Sequence, residues 1–155
     1  MSLLQTSMKT PVGTLHLLAD EHVLLRTSFE QIDNMPAEAK KVKVIPVISD
    51  LIADYFDGDI EAISAINVRQ DGAPFSQSAW KAMRKIKAGK VLSYADLAKR
   101  AGSADAVRAA GTACAKNAIA LVVPCHRVVK TGGALGNYAY GLEVKEWLLR
   151  HEGAL

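Results

Sequence analysis

"SYADLAKRAGSADAVRAAGTACAKN", Ser93 to Asn117, is the stretch on which the reading of the fold turns. It reads as two short helices with a glycine between them. The first starts at Ser93, with Asp96 three residues on, a variant of the capping box; Gly102 ends it. The second starts at Ser103 and carries Asp105 in its first turn, where the helix dipole favours a negative charge. Helix, glycine turn and helix make the outline of a helix-turn-helix. Alone this is a weak signal, because many small proteins contain such a pair. The second helix is nearly without bulk: Ala104, Ala106, Ala109, Ala110, Gly111, Ala113 and Ala115 fill it. Two readings stand. It packs tightly against its neighbours, or it is thin so as to press into a narrow space. A helix with side chains is about 10–12 Å across, and the minor groove of B-DNA is about 6 Å wide. A helix entering that groove needs small residues and must bend the duplex open. Arg108 is then either a surface charge or the side chain that fills the gap left by a displaced base.

Downstream lies "VVPCHRVV", Val122 to Val129, which sets a nucleophile, a base and a cation between apolar runs. An ordinary cysteine, with a pKa of about 8.5, is only slightly ionised at neutral pH. A nucleophilic role needs a base and an electropositive setting. His126 and Arg127 follow Cys125 at once, but adjacent residues need not face each other, so a buried structural cysteine stays open on these residues. The last segment, "VKEWLLRHEG", reads as an amphipathic helix with Val144, Trp147 and Leu148 inward and Gly153 closing it. Glu152 sits at its C-terminus, where the dipole disfavours a carboxylate. A hydrogen bond to His126 explains it, and Cys–His–Glu then follows the nucleophile–base–orienter logic of hydrolytic triads.

Upstream, "FSQSAWKAMRKIKAG" places Phe75, Ala79, Trp80, Met83 and Ile86 on one helical face. Such a stripe reads as core, with Lys81, Arg84, Lys85, Lys87 and Lys90 as a solvated basic face. "RQDGAP", Arg69 to Pro74, reads as a linker. Before it, "GTLHLLAD" and "HVLLRTSFE" suggest a hairpin, "PVISDLIADYFDG" a helix and "AISAINV" a strand. The expected architecture is α/β (α+β). A small mixed domain over residues 1–70 precedes a mostly helical domain over residues 71–155 that holds the helix-turn-helix and the Pro-Cys-His-Arg loop. Charge divides likewise. The 155 residues carry a net +3, but residues 1–70 hold 6 Lys and Arg against 10 Asp and Glu, and residues 71–155 hold 13 against 6. A basic back half points to an anionic partner. The apolar runs fall short of the roughly 20 residues that span a bilayer. The N-terminus lacks a basic stretch followed by an apolar one, so no signal peptide is expected. The leading Met-Ser-Leu reads equally as native or as an expression remnant. Two cysteines, Cys114 and Cys125, are too few for a disulfide scaffold, so free thiols in a cytoplasmic setting are expected. His16 and His22 read as surface or packed histidines, not metal ligands.

"GAPFSQSAWKAMRKI", "GKVLSYADLA", "AVRAAGTACAKN", "VVPCHRVV" and "GALGNYAYGLEVKEWLLRHEG" together resemble the O6-alkylguanine-DNA alkyltransferases, the methylated-DNA–protein-cysteine methyltransferases. The match runs from about Gly72 to Gly153, its motifs in order and at the family's spacing. The front half fits the family's variable N-terminal domain more loosely.

The resemblance implies a suicidal repair of duplex DNA by direct reversal, without cofactor or metal, by a monomer. The helix from Ser103 would enter the minor groove, with Ser93, Tyr94, Ser103, Ala106, Ala109, Ala110, Gly111 and Arg127 at the DNA. Arg108 corresponds to an arginine finger that replaces the flipped guanosine. Cys125 would accept the alkyl group, His126 would take its proton through a water, and Glu152 would hold His126. Tyr94 would protonate the leaving guanine, and Asn117 would brace the turn before the cysteine loop. Val128, Tyr138, Ala139 and Tyr140 would form the substrate pocket, with backbone at Cys125 and Val128 reading the guanine edge and the valines as its dry wall. Cys114 reads as a buried small residue. Ala139 stands where some members have serine, and Tyr140 where others have glycine. Tyr140 should narrow the pocket, so methyl adducts are expected to react well and benzyl-type substrates poorly.

Overall fold

The computed structural model describes residues 2–155; Met1, and with it part of the leading Met-Ser-Leu, lies outside them. The fold is α+β, and the chain forms two compact units. One holds the residues up to Gln70 together with Ala118–Val122; the other holds Asp71–Asn117 and Val123–Leu155. A single cut at residue 70 therefore misses the five-residue return of the chain to the first unit.

The first unit is built on strands β1 (Leu3–Thr10), β2 (Gly13–Asp20) and β3 (Val23–Ser28). They pair antiparallel in sequence, as the apolar runs and tight turns dictate. The two-residue strands β4 (Lys40–Lys41) and β5 (Asn67–Val68) add parallel edges, giving the order β4-β1-β2-β3-β5. Leu15 and Leu17 alternate inward. A register shift against β3 at Leu18/Ala19 then lets those two consecutive residues bury as well. Helix α1 (Ile48–Phe56) turns Ile48, Ile52 and Tyr55 into this core. "AISAINV" is not one strand. Ala62–Ala65 is a 3-10 turn and only Asn67–Val68 pairs, because Ile63 and Ile66 bury at a spacing of three. The returning segment is tied to β3: Thr27 N–H donates to Ala118 O at 3.0 Å, and the Thr27 hydroxyl donates to Ala120 O.

In the second unit, α2 (Pro74–Arg84) buries Ala79, Trp80, Ala82 and Met83, and Trp80 Nε1 donates to Ala113 O at 2.9 Å. Strand β6 (Leu92–Ser93) runs straight into α3 (Tyr94–Arg100), whose Asp96 N–H is capped by Ser93 Oγ at 3.0 Å. Helix α4 spans Val107–Ala115, and a 3-10 turn over Cys125–Arg127 leads into β7 (Val128–Val129). Helix α5 covers Leu142–His151. Two expectations change here. The thin helix starts at Val107 and not at Ser103. Ser103–Ala106 forms a separate turn closed by Ala106 N–H to Ser103 O, and Ala106, at φ −90 and ψ 40, interrupts the helix. The inward face of α5 is Lys145, Leu148 and Leu149, while Val144 and Trp147 are half-buried. Parallel pairing of Leu92 with Val128 and Ser93 with Val129 brings the start of α3 alongside the Cys125–Arg127 turn, although more than thirty residues separate them.

Candidate active site

Cys125 is 8% exposed, and it lies on the wall of a cavity of about 680 Å³. One wall of the cavity is a stripe of α4: Val107, Arg108, Gly111, Thr112, Cys114 and Ala115. The facing wall is Tyr94 with Asn137, Tyr138 and Ala139. The expected nucleophile, arginine, tyrosine and pocket loop thus converge on one space.

Behind Cys125 lies a closed polar cluster. His126 Nε2 and Glu152 Oε2 are 2.8 Å apart, and both side chains are fully buried. Burial alone pushes the Glu152 carboxyl up; His126 and Arg127 more than reverse this and hold it at about 2. A carboxylate only accepts, so Nε2 carries the shared proton and Nδ1 of a neutral ring is the accepting nitrogen. Nδ1 is buried and hydrogen-bonds to no other protein group among the described residues. Burial, seconded by Arg127 and Lys145, keeps His126 below its ordinary pKa against the pull of Glu152.

Burial also pushes the Cys125 thiol up, opposed by a hydrogen bond from Asn117 and the charge of Lys145. Asn117 Nδ2 donates to Val123 O at 2.8 Å as well, so this side chain spans the turn between α4 and the cysteine. Cys114 is not an inert core residue. It is half-exposed on the cavity wall, its pKa pushed up to about 12 by burial and then by Cys125. It stays a thiol, and without a base of its own it is a poor rival nucleophile. Tyr94 is half-buried and titrates above its normal range, through burial first and then the two nearby sulfurs. It therefore keeps its proton at neutral pH.

Several expected site residues lie elsewhere. Arg127 is 5% exposed and cannot reach DNA. Its Nε donates to Glu152 Oε1 at 2.9 Å, its Nη2 to Glu152 Oε2 at 3.0 Å and its Nη1 to Ile86 O at 2.7 Å. Ala110 is fully buried, because it lies on the inward face of α4 with Ala113. Ser103 is exposed, but on the turn before α4; Ala106, Ala109 and Gly111 are half-buried, and Arg108 is exposed. Val128 is fully buried off the cavity wall, and its carbonyl takes a 2.7 Å hydrogen bond from Lys145 Nζ. The valines on either side of Pro-Cys-His-Arg are likewise interior, not a wall of the cavity. Tyr140 also lies off the wall; it meets Tyr138 edge-to-face at 5.6 Å.

Sequence reasoning missed Asn137, Val107, Thr112 and Lys145. The α4 residues follow helical spacing from Arg108 and were readable as one stripe. Lys145 Nζ donates to Val128 O and, at 3.1 Å, to Asn137 O. A lone lysine in line with Leu148 and Leu149 was its signal. Among the described residues no group of three or more His, Cys, Asp or Glu side chains is placed to hold a metal ion.

The description "6-O-methylguanine DNA methyltransferase, DNA binding domain" fits residues 74–154 of the chain. Across its full length the chain is 38% identical to the methylated-DNA–protein-cysteine methyltransferase of Salmonella typhimurium, covering 100% of this chain and 98% of that protein. The human protein of the same name is 52% identical over 77 residues, 50% of this chain and 37% of its own length. The crystal structure of Mycobacterium tuberculosis O6-methylguanine methyltransferase superposes with a TM-score of 0.84 at 29% identity, covering 98% and 93% of the two chains. The structure of M. tuberculosis OGT in complex with DNA gives 0.83 at 29% identity over 97% and 92%. Sequence similarity along the whole chain and likeness of fold thus agree, and the chain belongs to the methylated-DNA–protein-cysteine methyltransferase family.

Proposed function

We propose that this protein reverses alkylation damage in duplex DNA by moving the alkyl group from O6 of guanine onto Cys125, once per molecule. The observation that carries this reading is that Cys125 faces the cavity while His126 and Glu152 are buried behind it. The exposed side of α4 shares that cavity, so a duplex lying on the helix would have the cavity at its groove. The damaged base rotates into the cavity, and Arg108, exposed at its rim, takes the vacated place in the stack.

His126 Nδ1 receives the Cys125 proton through a water, while Nε2–H stays on Glu152. The thiolate attacks the alkyl carbon along the line of the C–O bond, and that bond breaks as C–S forms. Tyr94 donates its proton to the guanine as the bond breaks, so the base departs neutral. Its raised pKa suits a group that must still hold a proton at neutral pH. The product is a thioether, which has no route back to a thiolate, so each molecule acts once. Asn117 stabilises the thiolate and holds the turn that presents it. Groove reading is degenerate, so sequence preference is weak. The protein works as a monomer in the cytoplasm, without metal or cofactor.

Intact-mass measurement after mixing with a duplex bearing one O6-methylguanine tests this. One added methyl per protein, mapped to Cys125 and lost in Cys125→Ala, is expected. An unmodified protein that still binds the damaged duplex would make it a recognition module. The pocket reading has its own test: slow labelling by free O6-benzylguanine, accelerated in Tyr140→Gly as Tyr138 loses its edge-to-face support.

A further inference from the structure

Arg127 needs a role other than the DNA contact expected of it. One carboxylate with no exposed surface serves two partners: Glu152 Oε2 accepts from both His126 and Arg127, and Oε1 accepts from Arg127. With His126 as its only partner, a buried Glu152 would be best satisfied by an imidazolium, because an uncompensated buried carboxylate is expensive. An imidazolium has no lone pair to take a proton. The guanidinium changes this balance. Its fixed charge satisfies the carboxylate through a two-pronged contact. A second positive charge on His126 would then be surplus. The other charged groups near the cluster act in the same direction: Lys145 from α5 faces His126, and Arg84 from α2 faces Arg127. Cys125, on the same turn as His126, holds its proton at rest.

We propose that Arg127 is a positioning residue that shares the Glu152 carboxylate, so that His126 rests as the neutral Nε2–H imidazole with Nδ1 ready to accept the Cys125 proton. This rests on Cys125 as the acceptor. When the proton moves, the net charge of the thiol–imidazole pair does not change: thiol and imidazole become thiolate and imidazolium, and Glu152 still accepts from Nε2–H. Arg127 therefore sets the resting state without touching the substrate.

The test compares wild type, Arg127→Gln and Arg127→Lys. It reads the single-turnover rate of methyl transfer from about pH 5 to 9, together with the imidazole ¹⁵N shifts of His126. Wild type should show neutral His126 protonated on Nε2 at about pH 6. Arg127→Gln should carry an imidazolium at neutral pH. Its transfer should fall about tenfold at pH 6 and recover toward wild type at pH 9, since a ring half protonated at about pH 7 keeps only about a tenth of its molecules neutral at pH 6. Arg127→Lys keeps the charge and should retain the wild-type limb at a lower plateau. An equal loss at every pH in Arg127→Gln, or an imidazolium in wild type at pH 7, overturns the proposal. If Arg127→Gln does not fold, the wild-type shifts and the Arg127→Lys profile decide it. If wild type moves no methyl group yet His126 titrates as described, the repair reading fails and this one stands.

Discussion

Gly136 shows how finely Tyr94 is placed. Its φ is +77, a left-handed conformation that side chains resist, and an added Cβ would stand 3.2 Å from both Cε2 and the hydroxyl oxygen of Tyr94. Gly136→Ala must push the ring aside by a few tenths of an ångström. If Tyr94 is the proton donor proposed above, misplacing it lowers the rate far more than binding, so transfer should slow about tenfold or more, with affinity for duplex DNA nearly unchanged. Tyr94→Phe removes the same hydroxyl. If both changes act through it, the double variant should be no slower than the slower single variant; multiplicative losses in single-turnover kinetics would place Gly136 in some other role. Cys125 and Cys114 show the same dependence on surroundings. Both thiols are pushed up by burial, but only Cys125 has a hydrogen bond from Asn117 to oppose it.

Helix α4 carries a conflict between folding and binding that can be measured. Gly111 lies inside it, on the cavity side, and a Cβ there would meet nothing within 4 Å. In a helix interior alanine is favoured over glycine by about 1 kcal/mol. Gly111→Ala should therefore stabilise the isolated protein by up to about 1 kcal/mol, raising Tm by about 2–4 °C. In the proposed complex the same methyl group thickens the helix on its groove-facing side, so affinity for DNA should fall. A variant that is both more stable and an equally tight binder would count against α4 as the groove-facing element. In the other unit, Val47 precedes α1 with φ 68 and ψ −52, in a turn closed by Ile48 N–H to Pro46 O at 2.8 Å. A β-branched residue is strained there by about 1–3 kcal/mol. Val47 is 58% exposed, so little packing would be lost on its removal. After the entropy of an added glycine, about 0.5–1 kcal/mol, Val47→Gly should still stabilise by about 1 kcal/mol in denaturant unfolding.

The whole molecule should lose stability in acid in two stages. His126 is held below its ordinary pKa, so the unfolded chain takes up a proton that the folded one refuses. Stability then falls as pH drops through the unfolded value of about 6.5. Glu152 is held at about 2 against an ordinary 4.5. Its contribution is complete above about pH 4.5 and disappears as pH falls toward 2, on the order of 3 kcal/mol in all. Unfolding free energy measured from pH 7 to 3 should slope accordingly. In Glu152→Gln the protein should be weaker at pH 7 but with a shallower slope below pH 4.5; an unchanged slope would mean that other carboxylates dominate.

The sequence by itself determined the elements that depend on local spacing. The hairpin strands, α1, α2 and the capped start of α3 follow from periodicity, glycines and Ser93, and the small residues of α4 are plain in its composition. Cys125, His126 and Glu152 were legible because each was locally anomalous: a cysteine, histidine and arginine between valines, and a carboxylate at the wrong end of a helix dipole. Tertiary structure alone decided which way the remaining groups face. Arg127, Ala110 and Val128 read as surface or pocket residues and are interior, because the β6–β7 pairing and the packing of α4 on α2 turn them inward. Ala118–Val122 lies within the back half of the sequence yet folds with the first unit, through hydrogen bonds from Thr27 more than ninety residues earlier. Lys145 and Asn137 enter the site through carbonyl–ammonium hydrogen bonds, and backbone carbonyls leave no mark in a sequence. Local propensity depends on neighbours along the chain, whereas burial and charge pairing depend on neighbours in space, and only the folded chain brings the second kind together.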